Sequence, residues 1–397
     1  MRLMLLTAGS RGDVEPFAAL ARHAASAGHE VFLGVPDNSG VELPPVSRVP
    51  LDVDFSQLVA DQGVSAVAAA RAFGSVIRPA MGRMLGAAVR AVLDVRPDAV
   101  VYHPKLLTAA AAASAVGAVP IVVETVPTLT PSRAFPMPGT VSRSLGPLNR
   151  VTYRAGGAAA GLFRREIAEA LAPLGRPASP EPSASLIPVS PVLLERPADW
   201  PATTTITGAW VAPSEESGVD DELSAFLEGG PLLYAGFGSM AAGDPVARAS
   251  AVIAAARAAG LRALIATGWG GLEVPPGARG DDVFAVESAP HARVLPSAAV
   301  AIHHGGAGTA HAVVRAGVPS VVVPFIADQP FWARQLHERG LAAAPIPARR
   351  VTAERLAHAI AAARDLQPAT TAAAETMRHE HGTARALEII EAEASDA

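Results

Sequence analysis

Short apolar segments alternate along the first half of the chain with longer, alanine-rich segments. The apolar segments are LMLLTAG (3–9), EVFLGVP (30–36), DAVVYH (98–103) and IVVETV (121–126). Between the first two lies FAALARHAASAG, in which apolar residues recur at helical spacing and Gly28 suits the end of a helix. Nearly continuous apolar strands that are separated by helices predict a parallel sheet covered on both faces.

The second half repeats this strand and helix rhythm, which predicts a second parallel sheet. Its apolar segments are PLLYAGFGS (231–239), LRALIATGW (261–269), DVFAVES (282–288), AVAIHHGG (299–306) and SVVVPF (320–325). Residues 173–218 are instead rich in proline, and GAWVAPSEESG (208–218) is acidic and rich in serine. The sequence therefore predicts an α/β protein with two doubly wound, Rossmann-like domains.

The predicted domain boundaries follow these changes in composition. The first domain covers residues 1–207, the linker 208–218 and the second domain 219–375. The final segment, 376–397, is predicted as a helix that either completes the second domain or packs back on the first. Residues 127–165 fit no regular strand and helix unit and are predicted as surface loops and helices.

Charge and cysteine content exclude several classes of function. The net charge is −5, with 32 Lys and Arg against 37 Asp and Glu, so neither nucleic acid nor an acidic membrane is expected as a partner. The chain has no cysteine, which excludes disulfides, thiolate metal sites and cysteine nucleophiles and agrees with a cytoplasmic location.

Two segments bear on targeting and membrane insertion. Glycine and charge interrupt the N-terminal run MRLMLLTAGSRGD before a secretory signal could form, so we expect a buried strand there. Residues 106–123 are uncharged for about the length that a bilayer requires. Their first half is mostly alanine, however, and Gly117 and Pro120 interrupt the run. We therefore predict a helix on a sheet, followed by a strand, and no stable membrane span.

The stretch HHGGAGT (303–309) lies where an apolar strand gives way to a helix. Its glycines let the backbone approach a ligand, and the first amides of a helix lack intrahelical partners, so an anion such as a diphosphate suits this position. His304, Thr309 and Ser239, the last on another glycine turn, could add hydrogen bonds. Alternatively, the glycines only form tight turns and the histidines cap or pack. The spacing matches neither G-x-G-x-x-G at a first strand nor a P-loop, which argues against a dehydrogenase and an ATPase.

Asp328 and Gln329 follow the next apolar strand. A carboxylate accepts hydrogen bonds, and an amide both accepts and donates them, which suits the adjacent hydroxyls of a hexose. An alternative is that Asp328 only caps the helix that begins near Pro330.

Over nearly its whole length, the chain resembles the nucleotide-sugar-dependent glycosyltransferases of family 1, which have the GT-B fold. HHGGAGT (303–309), AGVP (316–319) and DQPFW (328–332) are similar to the donor signature of sterol glucosyltransferases and bacterial antibiotic glycosyltransferases. GSRGDVEP (9–16) is similar to the acceptor-side signature of the same two groups.

The resemblance implies a role for each matching residue. Asp13 would be the catalytic base, and Ser10, Arg11 and Gly12 would line the acceptor side of the cleft. Asp328 and Gln329 would hold the donor sugar. The donor diphosphate would be bound by Ser239, His304, Gly306, Ala307, Gly308 and Thr309.

The chain departs from the plant members of the family at two places. They have a histidine where Asp13 stands. An unperturbed carboxylate has a pKa of about 4, well below that of an alcohol, so Asp13 would accept the acceptor's proton only late in the reaction. They also have a tryptophan ahead of Ala-Pro-Gln that stacks on the base, where this chain has SAPH (288–291). Stacking is therefore assigned to Trp269, with the alternative that it only packs a turn. The nucleoside site would comprise Trp269, Ser288, Ala289 and His291, with His291 near the ribose.

The predicted reaction is an inverting, metal-independent transfer of a hexose from a UDP- or dTDP-sugar, with no cofactor beyond that co-substrate. The acceptor pocket would use residues 55–85 and 127–165, which are apolar and poor in charge. They predict a small hydrophobic acceptor, such as a polyketide, a macrolide or a sterol-like lipid, unless these segments are simply buried. The abundance of alanine, arginine and proline is typical of a GC-rich bacterial genome, which favours a role in secondary metabolism on composition alone. The sequence gives no oligomeric state.

Three other functions remain open at this stage. An epimerase of the same fold would act on a nucleotide sugar without an acceptor. A non-catalytic partner protein would bind a nucleotide sugar without the base, although Asp13 is present. An oxidoreductase would need a glycine fingerprint that the first domain lacks.

Overall fold

A computed structural model describes residues 1–54, 73–175, 181–212, 220–238, 240, 243–268 and 270–396. It confirms the predicted α/β class with two parallel sheets. Two compact units are present. One comprises Met1–Pro191, Glu195–Pro213 and His381–Ala397, and the other comprises Val192–Leu194 and Ser214–Glu380.

The first unit contains a seven-stranded sheet with the order β3-β2-β1-β4-β5-β6-β7. Its strands are β1 (Arg2–Leu6), β2 (Glu30–Asp37), β3 (Ser47–Asp54), β4 (Ala99–Tyr102), β5 (Val119–Val123), β6 (Ala184–Ile187) and β7 (Thr204–Ile206). All neighbouring strands are parallel. The strand order reverses between β1 and β4, and ligands of doubly wound sheets bind where the order reverses, beyond the carboxyl ends of the strands.

Helices cover both faces of this sheet. They are α1 (Arg11–Ser26), α2 (Arg78–Val95), α3 (Ala109–Ala115), α4 (Asn149–Thr152), α5 (Arg154–Gly161) and α6 (Arg164–Leu171). The acceptor-side signature at residues 9–16 is mostly helix, because Ser10 is an N-cap residue and α1 continues through Pro16. The alanine-rich segment 106–123 forms α3 and then β5. Within the described residues, no helix is long and apolar enough to cross a membrane.

The second unit contains a five-stranded sheet with the order β10-β9-β8-β11-β12. Its strands are β8 (Leu232–Gly236), β9 (Arg262–Ala266), β10 (Val283–Val286), β11 (Ala298–His303) and β12 (Ser320–Val322), all parallel to their neighbours. The order reverses between β8 and β11. The helices are α7 (Asp221–Glu228), α8 (Pro245–Ala258), α9 (His291–Val294), α10 (Ala307–Arg315), α11 (Gln329–Glu338), α12 (Ala353–Arg364) and α13 (Gln367–Arg378).

The last helix, α14 (Gly382–Ser395), belongs to the first unit. Its buried residues join Phe17 of α1 and Trp210 in one apolar cluster. A Cβ on Gly382 would lie 2.5 Å from the carbonyl oxygen of Ala209, so the start of the helix packs directly against the backbone of Ala209. Trp210, which the sequence placed in the linker, is therefore part of the core of the first unit.

Candidate active site

The first candidate site lies where β1 and β4 end side by side. The chain leaves β1, turns at Gly9 and starts α1, so Asp13 lies in the first turn of that helix. The Ser10 N–H donates to Oδ2 of Asp13 at 3.0 Å, and the Thr7 hydroxyl donates to the Asp13 carbonyl at 2.7 Å. The predicted base is thus fixed at a helix N-terminus, where the helix dipole favours a negative charge.

Two residues that follow β4 complete this site, and the sequence analysis assigned neither of them a function. His103 Nε2 lies 3.2 Å from Oδ1 of Asp13, and Lys105 Nζ lies 3.1 Å from Oδ2. Gly9 leaves room for the pair, because a Cβ there would collide with the Asp13 carboxylate and lie 2.6 Å from Nζ. Periodicity predicted the strand before His103 but does not encode strand order, so its place beside β1 was not foreseen.

Opposing effects set the charges of this cluster. Burial alone would raise the pKa of Asp13, but the charge of Lys105 and the hydrogen bonds from His103 and Lys105 hold that pKa well below its usual range. Burial lowers the pKa of His103 and outweighs the opposite effect of Asp13. The Lys105 N–H donates to Nδ1 of His103 at 3.2 Å, so Nε2 carries the ring proton and donates to Asp13. The proton acceptor of this cluster is therefore the Asp13 carboxylate, beside a neutral histidine.

The residues predicted to line the acceptor side, Ser10, Arg11 and Gly12, are exposed. Arg11 Nε forms an ion pair with Oε1 of Glu15 at 2.5 Å, one turn along α1. A Cβ on Gly12 would meet no atom within 4 Å. This surface is accessible, and contact with an acceptor stays a prediction.

The second candidate site lies where β8 and β11 end side by side. Beyond β11 the chain turns at Gly305, with φ of +87°, and α10 begins with Gly306 as its N-cap residue. A Cβ on Gly305 would lie 2.7 Å from Cγ1 of Val322, so this close turn requires glycine. The amides at the start of α10 have no acceptor within the helix. They belong to the predicted diphosphate residues Ala307, Gly308 and Thr309.

His304 lies against this helix start. A Cβ on Gly306 would be 2.5 Å from its Nε2, and one on Gly238, in the turn after β8, would be 3.7 Å from its Cε1. The ring therefore contacts both glycine turns that the sequence assigned to the diphosphate. Burial lowers the pKa of His304 to about 4, so the ring is neutral at pH 7. Ser239, the next predicted residue, lies outside the described residues.

The predicted sugar residues lie at the start of α11. Gln329 Oε1 accepts the N–H groups of Phe325 and Ile326 at 2.8 and 3.1 Å, and its Nε2 lies 3.3 Å from Sδ of Met240. Gln329 is buried, so its amide holds the loop after β12 in shape. Asp328 makes no side-chain cap and instead accepts the Trp332 Nε1 proton at 2.9 Å. A sugar contact stays a prediction for both residues.

The predicted nucleoside residues lie on the loop after β10. His291 begins α9, and its Nε2 lies 3.0 Å from the Tyr234 hydroxyl. Ser288 is exposed, and Ala289 packs on an apolar cluster below the loop. Trp269 lies outside the described residues, but Gly268 before it has φ of +58° and no room for a Cβ beside the Gly238 carbonyl.

Arg248 of α8 contacts three loops of the second unit. The sequence analysis did not single out this residue. Its guanidinium donates to the carbonyl oxygens of Gly271 and Met240, and its Cζ lies 4.9 Å from the centroid of the Phe325 ring. These loops follow β9, β8 and β12, at the same edge of the sheet as the start of α10. Arg248 is only 7% exposed, and an arginine in an alanine-rich helix that contains a second one gave no signal of this role.

Among the described residues, no group of three or more histidine and carboxylate side chains could hold a metal ion. The chain has one Asp-x-Asp sequence, DVD (52–54) on β3. There Asp52 pairs with Arg90 at 3.0 Å, and Asn38 donates to Asp54 at 2.7 Å. Metal independence therefore stays a prediction.

The two parallel sheets of doubly wound order define the GT-B class of glycosyltransferase folds. The crystal structure of the glycotransferase of kitacinnamycin matches with a TM-score of 0.73 and 20% identity, over 99% of this chain and 98% of that chain. The crystal structure of glycosyltransferase VinC in complex with dTDP matches with a TM-score of 0.69 and 19% identity, over 100% of both chains. At such identities, these two likenesses establish the fold.

Relatives with higher sequence identity establish the family. O-mycaminosyltylonolide 6-deoxyallosyltransferase of Streptomyces fradiae is 35% identical over 391 residues, 91% of this chain and 89% of the relative. Vancomycin aglycone glucosyltransferase of Amycolatopsis orientalis is 31% identical over 99% of this chain and 98% of the relative. A sterol 3-beta-glucosyltransferase of Arabidopsis thaliana is 29% identical over 91% of this chain, which spans 62% of that longer relative.

Residues 273–391 also match the family described as erythromycin biosynthesis protein CIII-like, C-terminal domain. The chain belongs to the family of antibiotic and sterol glycosyltransferases that these relatives represent, and the resemblance predicted from its sequence is confirmed. The protein is thus a glycosyltransferase.

Proposed function

We propose that the enzyme transfers a hexose from a dTDP- or UDP-sugar to a hydroxyl of a hydrophobic acceptor, with inversion and without a metal ion. The observation that carries this proposal is the start of α10, where backbone amides without an acceptor inside the helix lie beside the neutral ring of His304. The name of the VinC structure, which holds dTDP, supports the donor class. The names of the relatives, which refer to a tylonolide, the vancomycin aglycone and sterols, support a natural-product or sterol-like acceptor.

In this reaction, the acceptor oxygen attacks the anomeric carbon on the face opposite the diphosphate, which inverts that carbon. The hydroxyl proton passes to Asp13, whose pKa is held low, so proton transfer is late and follows the acidification of the attacking oxygen. The bond to the diphosphate breaks with its electron pair. Dipoles fixed in advance, the α10 amides with His304 and Thr309, stabilise the charge that develops on the leaving oxygen.

The remaining roles are proposed for residues on the neighbouring loops. Asp328, which is partly exposed, contacts the sugar hydroxyls, and Gln329 shapes the loop that presents it. His291, which contacts the Tyr234 hydroxyl, is proposed to contact the ribose, and Trp269 is proposed to stack on the base.

Nucleotide binding tests the donor site. We expect dTDP or UDP to raise the melting temperature of the wild-type protein selectively over GDP, because a ligand at 100 times its Kd contributes about 2.7 kcal/mol. His304→Ala should lose most of this shift. His358→Ala, a change at an exposed histidine of the same unit, should retain it. If no nucleotide stabilises the protein, or His304→Ala is stabilised like the wild type, the donor site is wrong.

Product analysis tests the reaction itself. With α-linked dTDP-glucose and a panel of a hydroxylated macrolactone, cholesterol and a flavonol, the proton coupling of the product should show a β-glycoside. Activity should survive treatment with EDTA. An α-glycoside would exclude inversion, and loss of activity that Mg²⁺ restores would exclude a metal-free mechanism.

A further inference from the structure

The basic residues of the chain are almost all arginine. Lys105 is the single lysine of the sequence among 32 Lys and Arg residues. The one ammonium side chain of the protein is therefore the one that contacts Asp13, at 3.1 Å. This choice indicates that the position needs a property that arginine lacks.

The contacts of the Asp13 carboxylate show which property that is. An ionised carboxylate offers about four lone pairs. Oδ2 accepts the Ser10 N–H at 3.0 Å and Nζ of Lys105 at 3.1 Å. Among the described residues, Oδ1 receives one contact, from Nε2 of His103 at 3.2 Å. Both lone pairs of Oδ2 therefore accept hydrogen bonds, whereas Oδ1 keeps one lone pair that can accept another.

We propose that Lys105 is a positioning residue that holds Oδ2 of Asp13 and leaves Oδ1 open to take the proton of the acceptor. This inference rests on the proposed function, in which Asp13 is the base. As the acceptor oxygen bonds to the anomeric carbon, its proton moves to Oδ1, and the bond from that carbon to the diphosphate breaks with its electron pair. A guanidinium pairs with both oxygens of a carboxylate and would cover Oδ1, whereas an ammonium is a compact donor that holds one oxygen.

The surroundings of Nζ support this geometry. A Cβ on Gly9 would lie 2.6 Å from Nζ, so the ammonium lies close to the Gly9 backbone. His103 and Lys105 are the titratable groups that face Asp13. Because the His103 ring is neutral, Lys105 is the cation of this cluster.

Two substitutions separate the charge of Lys105 from its shape. We expect Lys105→Arg to keep the acidic limb of the kcat/KM profile in place and to lower kcat at least about tenfold, as Oδ1 is covered. Lys105→Met should instead raise the pKa of Asp13, because the opposite charge is lost, so kcat/KM should begin to fall at a higher pH than in the wild type. Arg90→Met, which removes an exposed ion pair with Asp52 in the same unit, should match the wild type. The assay follows dTDP release from dTDP-glucose with a hydroxylated macrolactone and, in parallel, with water as the acceptor.

A second measurement needs no turnover. Labelling with ¹⁵N-lysine gives one side-chain signal, because the chain has one lysine. Asp13→Asn should shift this signal and speed its proton exchange, whereas the stabilisation of each variant by dTDP should remain. An unchanged signal, or a Lys105→Arg enzyme with wild-type kcat, overturns the positioning role. If Asp13→Asn keeps the wild-type kcat, both the proposed base and this inference are wrong. If Asp13→Asn is inactive but Lys105→Arg is fully active, only this inference is wrong.

Discussion

Gly306→Ala would add one methyl group at the start of α10. The backbone there has φ of −65° and ψ of 146°, which any residue adopts, so the change brings no backbone strain. The new Cβ would lie 2.5 Å from Nε2 and 3.3 Å from Cδ2 of His304. Non-bonded heavy atoms of this kind need about 3.5 Å, so the imidazole must move by roughly 1 Å.

A displacement of this size decides whether His304 can donate to the diphosphate. Hydrogen bonds weaken steeply beyond their narrow distance range, and a misplacement of about 1 Å lowers enzyme rates about 100-fold. We therefore expect Gly306→Ala to lower kcat about 100-fold, which is about 2.7 kcal/mol of barrier. In the His304→Ala background, the ring is absent, and the added methyl should change kcat by less than about threefold.

The assay compares wild type, the two single variants and the double variant. It measures kcat for dTDP release from dTDP-glucose and the Kd of dTDP by calorimetry. Gly277→Ala is the control, because a Cβ at that position meets no atom within 4 Å. An equal loss from Gly306→Ala in both backgrounds would refute the reasoning, because the methyl would then block the ligand itself.

Three further predictions concern stability. Arg248→Met leaves the buried Gly271 carbonyl without its guanidinium donor, so urea unfolding should show that the free energy of unfolding falls by about 1–3 kcal/mol. Wild-type stability of this variant would contradict the role of Arg248 in holding the loops together. Gly382→Ala places a Cβ 2.5 Å from the Ala209 carbonyl oxygen and should lower the free energy of unfolding by about 1–3 kcal/mol. Gly157→Ala should leave it unchanged, because a Cβ at Gly157 meets no atom within 4 Å. Burial lowers the pKa of His311 from 6.5 to about 4 in the folded protein. As the pH drops, His311 therefore takes up a proton in the unfolded chain before it does so in the folded protein, and the free energy of unfolding should fall between about pH 6.5 and 4. His311→Gln should flatten this urea-midpoint profile, and an unchanged profile would contradict the assignment.

Strands with continuous apolar sequences were predictable from the chain, whereas three other strands were not. β3 has the sequence SRVPLDVD, in which a proline and charged residues mask the strand pattern. β6 and β7 are short, and they lie in or beside the proline-rich region that periodicity describes poorly. Their pairing with β5 and with each other comes from the tertiary structure.

The two candidate sites differ in the same way. The glycine turn around His304 is local, so its residues stand together in the sequence and could be found there. The cluster of Asp13, His103 and Lys105 joins positions up to 92 residues apart, through a strand order that periodicity does not carry. Arg248 contacts backbone carbonyls, which leave no pattern in the sequence.

The charges of the two sites suit different steps of the transfer. Asp13 is an anion held by Lys105 and a helix N-terminus, so it is a weak base that accepts a proton only once the attacking oxygen has acidified. His304 is neutral, so it stabilises the leaving diphosphate by a hydrogen bond and keeps this ability as the pH rises through 6.5. A cationic ring would also bind the dTDP product more tightly, and binding shared by the ground state and the transition state does not raise kcat. The acidic limit of activity should therefore depend on the Asp13 cluster and on His304 below about pH 4, and deprotonation of a histidine should not limit activity near neutral pH.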